Sequence, residues 1–366
     1  MSDFLFALLA FLAVLIVVVL VHELGHYLVA RWSRVRVEVF SLGFGPEIFG
    51  FTDRAGTRWK FSALPLGGYV KMLGQSDLHV EEDDELDEAE RRVSFRHKPL
   101  GYRTAIVAAG PIANFVFALF SFAGVFMLVG QSYTPAEVVE VLADSAAERA
   151  GFAPGDVFVE IDGYSIRRFE EVRQLIPLYP DKVIEIDILR DGGRLTIHAT
   201  PQPTNRTTPM GDDVGIGVLG VTGPPQVIVR HGPVDALWEG WRQTRRQTSV
   251  LLLALGQMVS GNRDASEIGG PVRIAQMSGA AAKFGVVSLI FFASYLSITL
   301  GVINLLPVPV LDGGHLMFYI YEAVRGRPPG RRMQEFSLKI GLVLLLCLMV
   351  FATFNDLARL PVVKYV

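Results

Sequence analysis

The chain has 366 residues, enough for two domains of ordinary size, which excludes a single small module. Half of its residues are hydrophobic and only 19% are charged, below the roughly 25% of soluble globular chains, so the composition points to lipid. A net charge of -3 supplies no basic field, and no Arg/Lys stripe interleaves with stacking aromatics, so no nucleic-acid partner is expected.

The first span runs from Phe4 to Val21, is uncharged, and leads straight into HELGH at 22 to 26. No Lys or Arg precedes it and no small-residue cleavage site follows its apolar core, so it is expected to be retained rather than removed as a signal peptide. From Val37 to Met72 the chain alternates apolar and polar residues on either side of the polar turn TDRAGTR at 52 to 58, the pattern of a hairpin or small sheet close to the membrane. The Asp/Glu run at 77 to 90 reads as a solvated loop, and FRHKPLGYR at 95 to 103 as a surface helix or loop against anionic headgroups. A second span follows from Thr104 to Gly130.

Between Ala136 and about Pro203 short apolar strands alternate with Pro-Gly-Asp and Asp-Gly turns. FEEVRQLI at 169 to 176 has helical spacing, and VIEIDILRDGGRLTIHAT at 183 to 200 is a hairpin. With AGFAPGD at 150 to 156 and IDG at 161 to 163, this stretch resembles one PDZ domain. The resemblance implies a peptide added as a strand beside FEEVRQLI, or else a spacer with no ligand of its own. Residues 211 to 223 read as a further strand and turn. WEGWRQTRRQTSVLLLALGQMVSG at 238 to 261 is an amphipathic, then apolar, helix suited to the membrane surface, and GNRDASEIGGPVRIAQ at 261 to 276 a loop. Spans at Phe284 to Leu311 and about Phe336 to Phe354 complete the chain. The last holds the single cysteine, Cys347, read as a small buried apolar residue; one cysteine rules out an intrachain disulfide and Cys-rich zinc motifs.

Orientation follows from the Lys and Arg residues near the ends of the spans. Arg31, Arg34 and Arg36 follow the first span, Lys98 and Arg103 precede the second, and Arg325, Arg327, Arg331 and Arg332 lie between the third and fourth. Those two connections are expected on the cytoplasmic side, with the segment between spans two and three on the far side. Arg359 and Lys364 point weakly the other way.

The chemistry is concentrated in HELGH. His22 and His26, four residues apart, lie about 40° apart around a helix and one turn apart along it, so both imidazoles reach one metal. Glu23, rotated by about 100°, is free to act as a base on water activated by that metal. The motif also occurs in soluble zinc hydrolases, but here it ends an apolar run, where an ionisable residue costs roughly 2.5–3.5 kcal/mol at mid-membrane and needs partners. Two histidines need a third protein ligand. Asp312 is the candidate, in NLLPVPVLDGGHL at 304 to 316, where an apolar span breaks at Pro307 and Pro309. His315 is a rival ligand or a neighbouring support. His79, His97, His198 and His231 read as surface residues.

HELGH, GPIANF at 110 to 115, the PDZ-like segment and NLLPVPVLDGGHL, in that order, resemble the site-2 protease family of intramembrane zinc metalloproteases, of the bacterial RseP type in a single-PDZ form. The resemblance implies an α-helical polytopic membrane protein of about four spans with a membrane-associated β element and an inserted α+β PDZ domain. The divisions would be a membrane core at 1–135, the PDZ domain at 136–203, a linker with a strand and surface helix at 204–283, and a second membrane core at 284–366. It implies one Zn2+ held by His22, His26 and Asp312, with Glu23 as the catalytic base. Asn304 would support substrate or transition state, although helix packing accounts for it equally well. Gly110 and Asn114 would line the active-site core, and the β element with Gly43, Gly45, Gly67 and Gly68 would hold an unwound substrate strand. The implied partner is a single-span membrane protein in the lipid bilayer of a bacterial inner membrane. An anti-sigma factor already trimmed by another protease and remnant signal peptides are the two substrate classes implied. The site would face the cytoplasmic side and the PDZ domain the periplasm. One PDZ segment rather than two puts a tandem-PDZ filter in doubt. A metal transporter or a membrane-anchored PDZ scaffold are the alternatives from other classes, and neither uses Glu23.

Overall fold

A computed structural model describes residues 3–75, 87–207, 213–261 and 269–358. The described residues form two compact units. One draws on 1–123, 237–248 and 268–366, the other on 124–236 and 249–267.

In the first unit, helix α1 (Asp3–Trp32) continues well past Val21, because nothing in HELGHYLVARW breaks a helix, and so carries the histidine pair inside an unbroken helix. Strands β1 (Val37–Thr52) and β2 (Arg58–Met72) form the expected hairpin. Asp53 organises its turn, accepting from the backbone N–H groups of Ala55 and Thr57, from Trp59 Nε1 and from Tyr27 Oη of α1. The hairpin also folds back on itself: Phe40 stands opposite both Val70 and Trp59, and Leu42 opposite both Gly68 and Phe61. Residues 37–42 are therefore interior, and 68–72 lie on their flank. Phe40 is buried against Trp59 and Tyr27, in a core shared with Ala30, Val70 and Ile106. Phe44, Ile48, Phe49, Phe51, Phe61 and Leu64 point outward, an apolar face that soluble proteins rarely display.

Residues 76–86, most of the acidic run, lie outside the described residues, as does His79. Helix α2 (Glu88–Val93) is capped by Asp87, and α3 (Leu100–Leu128) carries GPIANF, with Pro111 inside it. Arg103, expected to face headgroups, is instead inside α3 and largely buried.

The second unit begins where α3 ends. Strand β3 (Gln131–Tyr133) pairs with the returning strand near 228, so the chain enters and leaves this unit side by side. After β4 (Glu140–Val141) comes α4 (Ala146–Ala150), whose first turn is capped by Ser145 and which stops at Gly151 in the left-handed region. Strands β5 (Val157–Ile161), β6 (Tyr164–Ser165), β7 (Ile184–Arg190) and β8 (Gly193–Ala199) make an antiparallel sheet of order β6-β5-β7-β8. Helix α5 (Phe169–Leu175) packs Phe169, Val172 and Leu175 onto the core of that sheet. Arg190 clasps the fully buried carboxylate of Asp156 through Nε at 2.7 Å and a terminal nitrogen at 2.8 Å, tying the AGFAPGD loop to β7.

Strand β9 (Gln202–Thr207) pairs with β10 (Asp213–Val218), and β11 (Val221–Thr222) pairs with β4. A domain boundary at 203 is therefore too early. Leu219 is part of the core and accepts from the Ala147 backbone, and Gly220 accepts from Leu142, so the segment expected to begin a linker closes the domain. The returning strand is β12 (Val227–Val229). Helix α6 (Pro233–Val259) follows. Its Val250 and Leu253 pack on the core of the second unit, and Gln257 donates to the Leu178 carbonyl.

The first unit resumes along the middle of α6, where Gly240 meets the backbone of Leu119 and Ala123 on α3 so closely that no Cβ would fit. The loop expected up to residue 276 ends sooner, in α7 (Pro271–Lys283). Gly270 and Pro271 open this helix. Asp356, far along the chain, accepts from the backbone N–H groups of Gly270 and Arg273, an N-cap supplied in trans. Helix α8 (Val286–Leu305) ends before the prolines, six residues short of the expected Leu311. Helix α9 (Asp312–Arg325) and α10 (Arg331–Ala358) complete the fold. Among the described residues four helices, α1, α3, α8 and α10, are long and apolar enough to cross a membrane. Cys347 is exposed on α10 rather than buried, because much of that helix presents its apolar residues outward.

Candidate metal centre

Helix α1 puts His22 and His26 on one face, their Nε2 atoms 3.2 Å apart. Asp312, the first residue of α9, reaches them from the break after α8: its Oδ2 is 3.2 Å from His22 Nε2 and 3.5 Å from His26 Nε2. These three are the described residues whose donor atoms converge closely enough to share a metal ion.

Helix packing creates the meeting. Gly25 lies so near the Ala109 carbonyl that any Cβ would fall 2.3 Å from its oxygen, which draws α1 against α3. Across that contact His26 Nδ1 donates to the Ile106 carbonyl at 2.8 Å. An imidazole bonded to residue 106 lies over the residue one turn later, Gly110, where a Cβ would sit 2.2 Å from His26 Nε2 and 2.9 Å from His22 Cε1. On the other side Gly313 and Gly314 press on the carbonyls of Leu305, Leu306 and Val308 and on the Pro309 backbone, bending the chain so that α9 starts at Asp312.

The donor set fits zinc. Ligands about 2.0–2.2 Å from a tetrahedral zinc stand about 3.3 Å from one another, close to the three separations found. Because Nδ1 of His26 spends its proton on Ile106, the neutral ring presents a bare Nε2 lone pair. Asp312 Oδ2 is buried among such nitrogens and accepts no hydrogen bond. Two imidazole nitrogens and a carboxylate oxygen gathered at these separations form a donor set that a cation between them would satisfy.

Asn114 holds the other ring. Its Nδ2 lies 3.2 Å from His22 Nδ1, and its Oδ1 is buried without a partner. A half-turn of the amide lets Oδ1 accept from Nδ1–H, which removes the orphan and leaves His22 Nε2 bare as well. The Asn114 carbonyl accepts from Ser297 Oγ at 3.0 Å, linking this support to α8. Both histidines thus have the backing that metal ligands require.

Glu23 is buried and lines, with the three donors, a cavity of about 570 Å³. Gly68, Tyr69, Val70 and Met72 of β2 form one wall, and a Cβ on Gly68 would fall 2.9 Å from Glu23 Cγ. His315 lines the cavity but stands apart from the donor set, its ring edge-on to Phe318. Asn304 is half-buried in the last turn of α8 and is not part of the cavity wall. Gly43 and Gly45 adopt positive φ in the bend of β1, and Gly67 lies against the Phe44 ring, all off the cavity wall. His97 and His198 are exposed, and His231 is half-buried beside Gln131. A pair that the sequence left unremarked also lines the cavity: Arg103 and Glu322, in a two-pronged ion pair.

The sequence matches the profile of peptidase family M50 over residues 10–348. It is 44% identical over 355 residues to a Rhizobium meliloti protein named as a zinc metalloprotease, covering 95% of each chain. A protein of Agrobacterium fabrum with the same kind of name is 44% identical, with 96% of this chain and 95% of its own covered. Metalloprotease MmpA of Caulobacter vibrioides is 35% identical across 100% of this chain and 99% of its own.

Proposed function

The chain belongs to peptidase family M50, the site-2 proteases, and is a zinc metalloprotease, and from that premise we propose that it cuts single-span membrane proteins within or near the bilayer. The observation that carries the reading is the convergence of His22, His26 and Asp312 beside Glu23, on a helix apolar enough to cross a membrane.

In this reading His22, His26 and Asp312 are the zinc ligands. Zinc held there supplies Lewis acidity, lowering the pKa of a water molecule to about 7 and polarising the scissile carbonyl. Glu23 is the general base that takes the proton from the attacking water and delivers it to the leaving amine. Ile106 and Asn114 keep both imidazoles in the tautomer that leaves Nε2 free.

A transmembrane helix conceals its peptide bonds, so the substrate must be unwound at the cleavage point. Residues 68–72 favour strand addition, since they flank the folded hairpin and line the cavity next to Glu23. Gly68 keeps that strand clear of the Glu23 side chain, while Gly43, Gly45 and Gly67 shape the hairpin that carries it. Asn304, half-buried in the last turn of α8, would support substrate or the transition state in this scheme, with helix packing as the alternative. The outward aromatic face of the hairpin suits contact with lipid.

The second unit is read as a PDZ domain spanning 136–203 and closed by 213–222, able to take a peptide beside α5. Support comes from the AGFAPGD loop, the antiparallel sheet and the closing strand. The Lys and Arg residues beside the spans favour a bacterial inner membrane with the metal centre towards the cytoplasm and the PDZ domain in the periplasm. The substrate proposed is an anti-sigma factor already shortened by another protease, with remnant signal peptides as the second class. The test is incubation of the purified protein with both classes, with and without a zinc chelator, and identification of the cut bond by mass spectrometry. Chelator-sensitive cleavage inside the spanning segment is expected. Cleavage confined to soluble, unfolded chains refutes the intramembrane reading.

A further inference from the structure

We propose that Arg103 and Glu322 are a positioning pair that sets the third metal ligand, an inference that rests on the reading of Asp312 as a zinc ligand. His22 and His26 share one helix, so their separation is fixed by α1 alone. Asp312 is on α9, which reaches the site after a break at two prolines, so its place depends on what holds α9.

Helix α9 is held at both ends. At its start Gly313 and Gly314 are pressed against the end of α8 and the proline turn. Ten residues beyond Asp312, about 15 Å along the axis, Glu322 receives both prongs of the Arg103 guanidinium, at 3.1 and 2.5 Å. Both side chains are only about 15% exposed. Arg103 is itself constrained: its Nε donates to the Lys98 carbonyl at 3.1 Å, and its guanidinium lies 5.3 Å from the Tyr319 ring centroid, one turn before Glu322. It projects from the first turn of α3, the same helix whose Ile106 and Asn114 orient the two histidines. Helix α3 is thus the common reference for all three ligands: it grips the imidazoles directly and the aspartate through α9.

The planar, two-pronged geometry fixes orientation as well as distance, which a lysine at the same place does not do. Loss of the pair therefore lets α9 roll about its own axis, and because Asp312 is the first residue of that helix its carboxylate turns away from the histidines, while α1 and α3 remain intact. Groups bonded directly to a metal ligand typically change metal affinity about 10–100-fold, and a pair that sets a ligand through its helix is expected to reach the lower end of that range.

The test measures zinc affinity by competition with a chromophoric chelator, using full-length protein in detergent micelles, for Glu322→Gln, Arg103→Lys and Asp312→Asn, alongside thermal unfolding of the metal-free forms. The expected result is that Glu322→Gln and Arg103→Lys bind zinc at least about tenfold more weakly while remaining folded, and that Asp312→Asn loses tight binding. Should Glu322→Gln not fold, Arg103→Lys alone carries the test, because it retains the charge. Unchanged affinity in the folded variants, with only a lowered unfolding temperature, overturns the proposal and leaves the pair a structural brace. Unchanged affinity in Asp312→Asn instead refutes the ligand reading on which the proposal rests.

Discussion

Replacing Gly110 by alanine adds one methyl group, and the structure says where it goes. The new Cβ would lie 2.2 Å from His26 Nε2, whereas a relaxed contact is about 3.5 Å, so the imidazole must retreat by about 1.3 Å. Functional metal–ligand distances hold to within about 0.2 Å; the displacement is several times that tolerance. The ring cannot slide sideways cheaply, because its Nδ1 is bonded to the Ile106 carbonyl. The variant should therefore fold, since the clash is with a side-chain tip rather than backbone, yet purify with little zinc and little activity. Gly124→Ala on the same helix is the control: nothing lies within 4 Å of its added Cβ, so zinc content and activity should be unchanged. Metal analysis of the two purified proteins together with cleavage of a single-span reporter decides the matter. Full zinc occupancy and activity in Gly110→Ala would refute the geometry on which the site is built.

Glu23→Gln should retain zinc and fold normally but lose about 10²–10⁴-fold in cleavage rate, and a variant that still cuts its reporter at the normal rate removes Glu23 from the mechanism. Asp356→Ala deletes the acceptor for two backbone N–H groups at the start of α7. It should lower stability by about 1 kcal/mol, seen as an earlier thermal transition with no change in zinc affinity. Hydrogen bonds from Thr196 and Arg194 hold the Asp187 carboxyl below its ordinary range. A depressed carboxylate stabilises the folded state above its unfolded pKa and loses that contribution as pH falls through the folded value. Amide-exchange protection in the β7–β8 hairpin should accordingly hold from neutral pH to about pH 4 and weaken below it, a dependence that Asp187→Asn should abolish.

How much of this was legible beforehand depended on the range of the interactions involved. His22 and His26 meet because of helical period alone, and a local rule suffices. Asp312 could be nominated because an acid beside a proline break in an apolar run needs a partner, although its coming within 3.2 Å of His22 is a product of tertiary packing. The β hairpin was visible from alternation and its polar turn, but not its fold-back, which places Phe40 between two stretches of β2. The strand and turn at 211–223 were legible, but their place in the domain was not, and neither was the start of α7, for a common reason. Both take their stabilising partners from elsewhere: Leu219 fills a core built from residues 136–199, and Asp356 caps a helix 86 residues earlier. Arg103 and Glu322, 219 residues apart, carried no local signal, and a lone arginine near a span reads as a topology marker until its partner is seen.

The metal centre joins two different kinds of encoding. One half, α1 with its i, i+4 histidines, is set by the period of a single helix, with both rings oriented by α3. The other half is a carboxylate at the N-terminus of a short helix, where unpaired backbone N–H groups already favour negative charge. Its position rests on packing without slack: Gly313 and Gly314 admit no side chain, while Leu316 and Tyr319 packed on the core and the Arg103–Glu322 ion pair hold the rest of α9. A site divided in this way can be disabled from either half: by a group that displaces a histidine ring, as at Gly110, or by a shift of α9 that carries Asp312 away while the histidines stay in place.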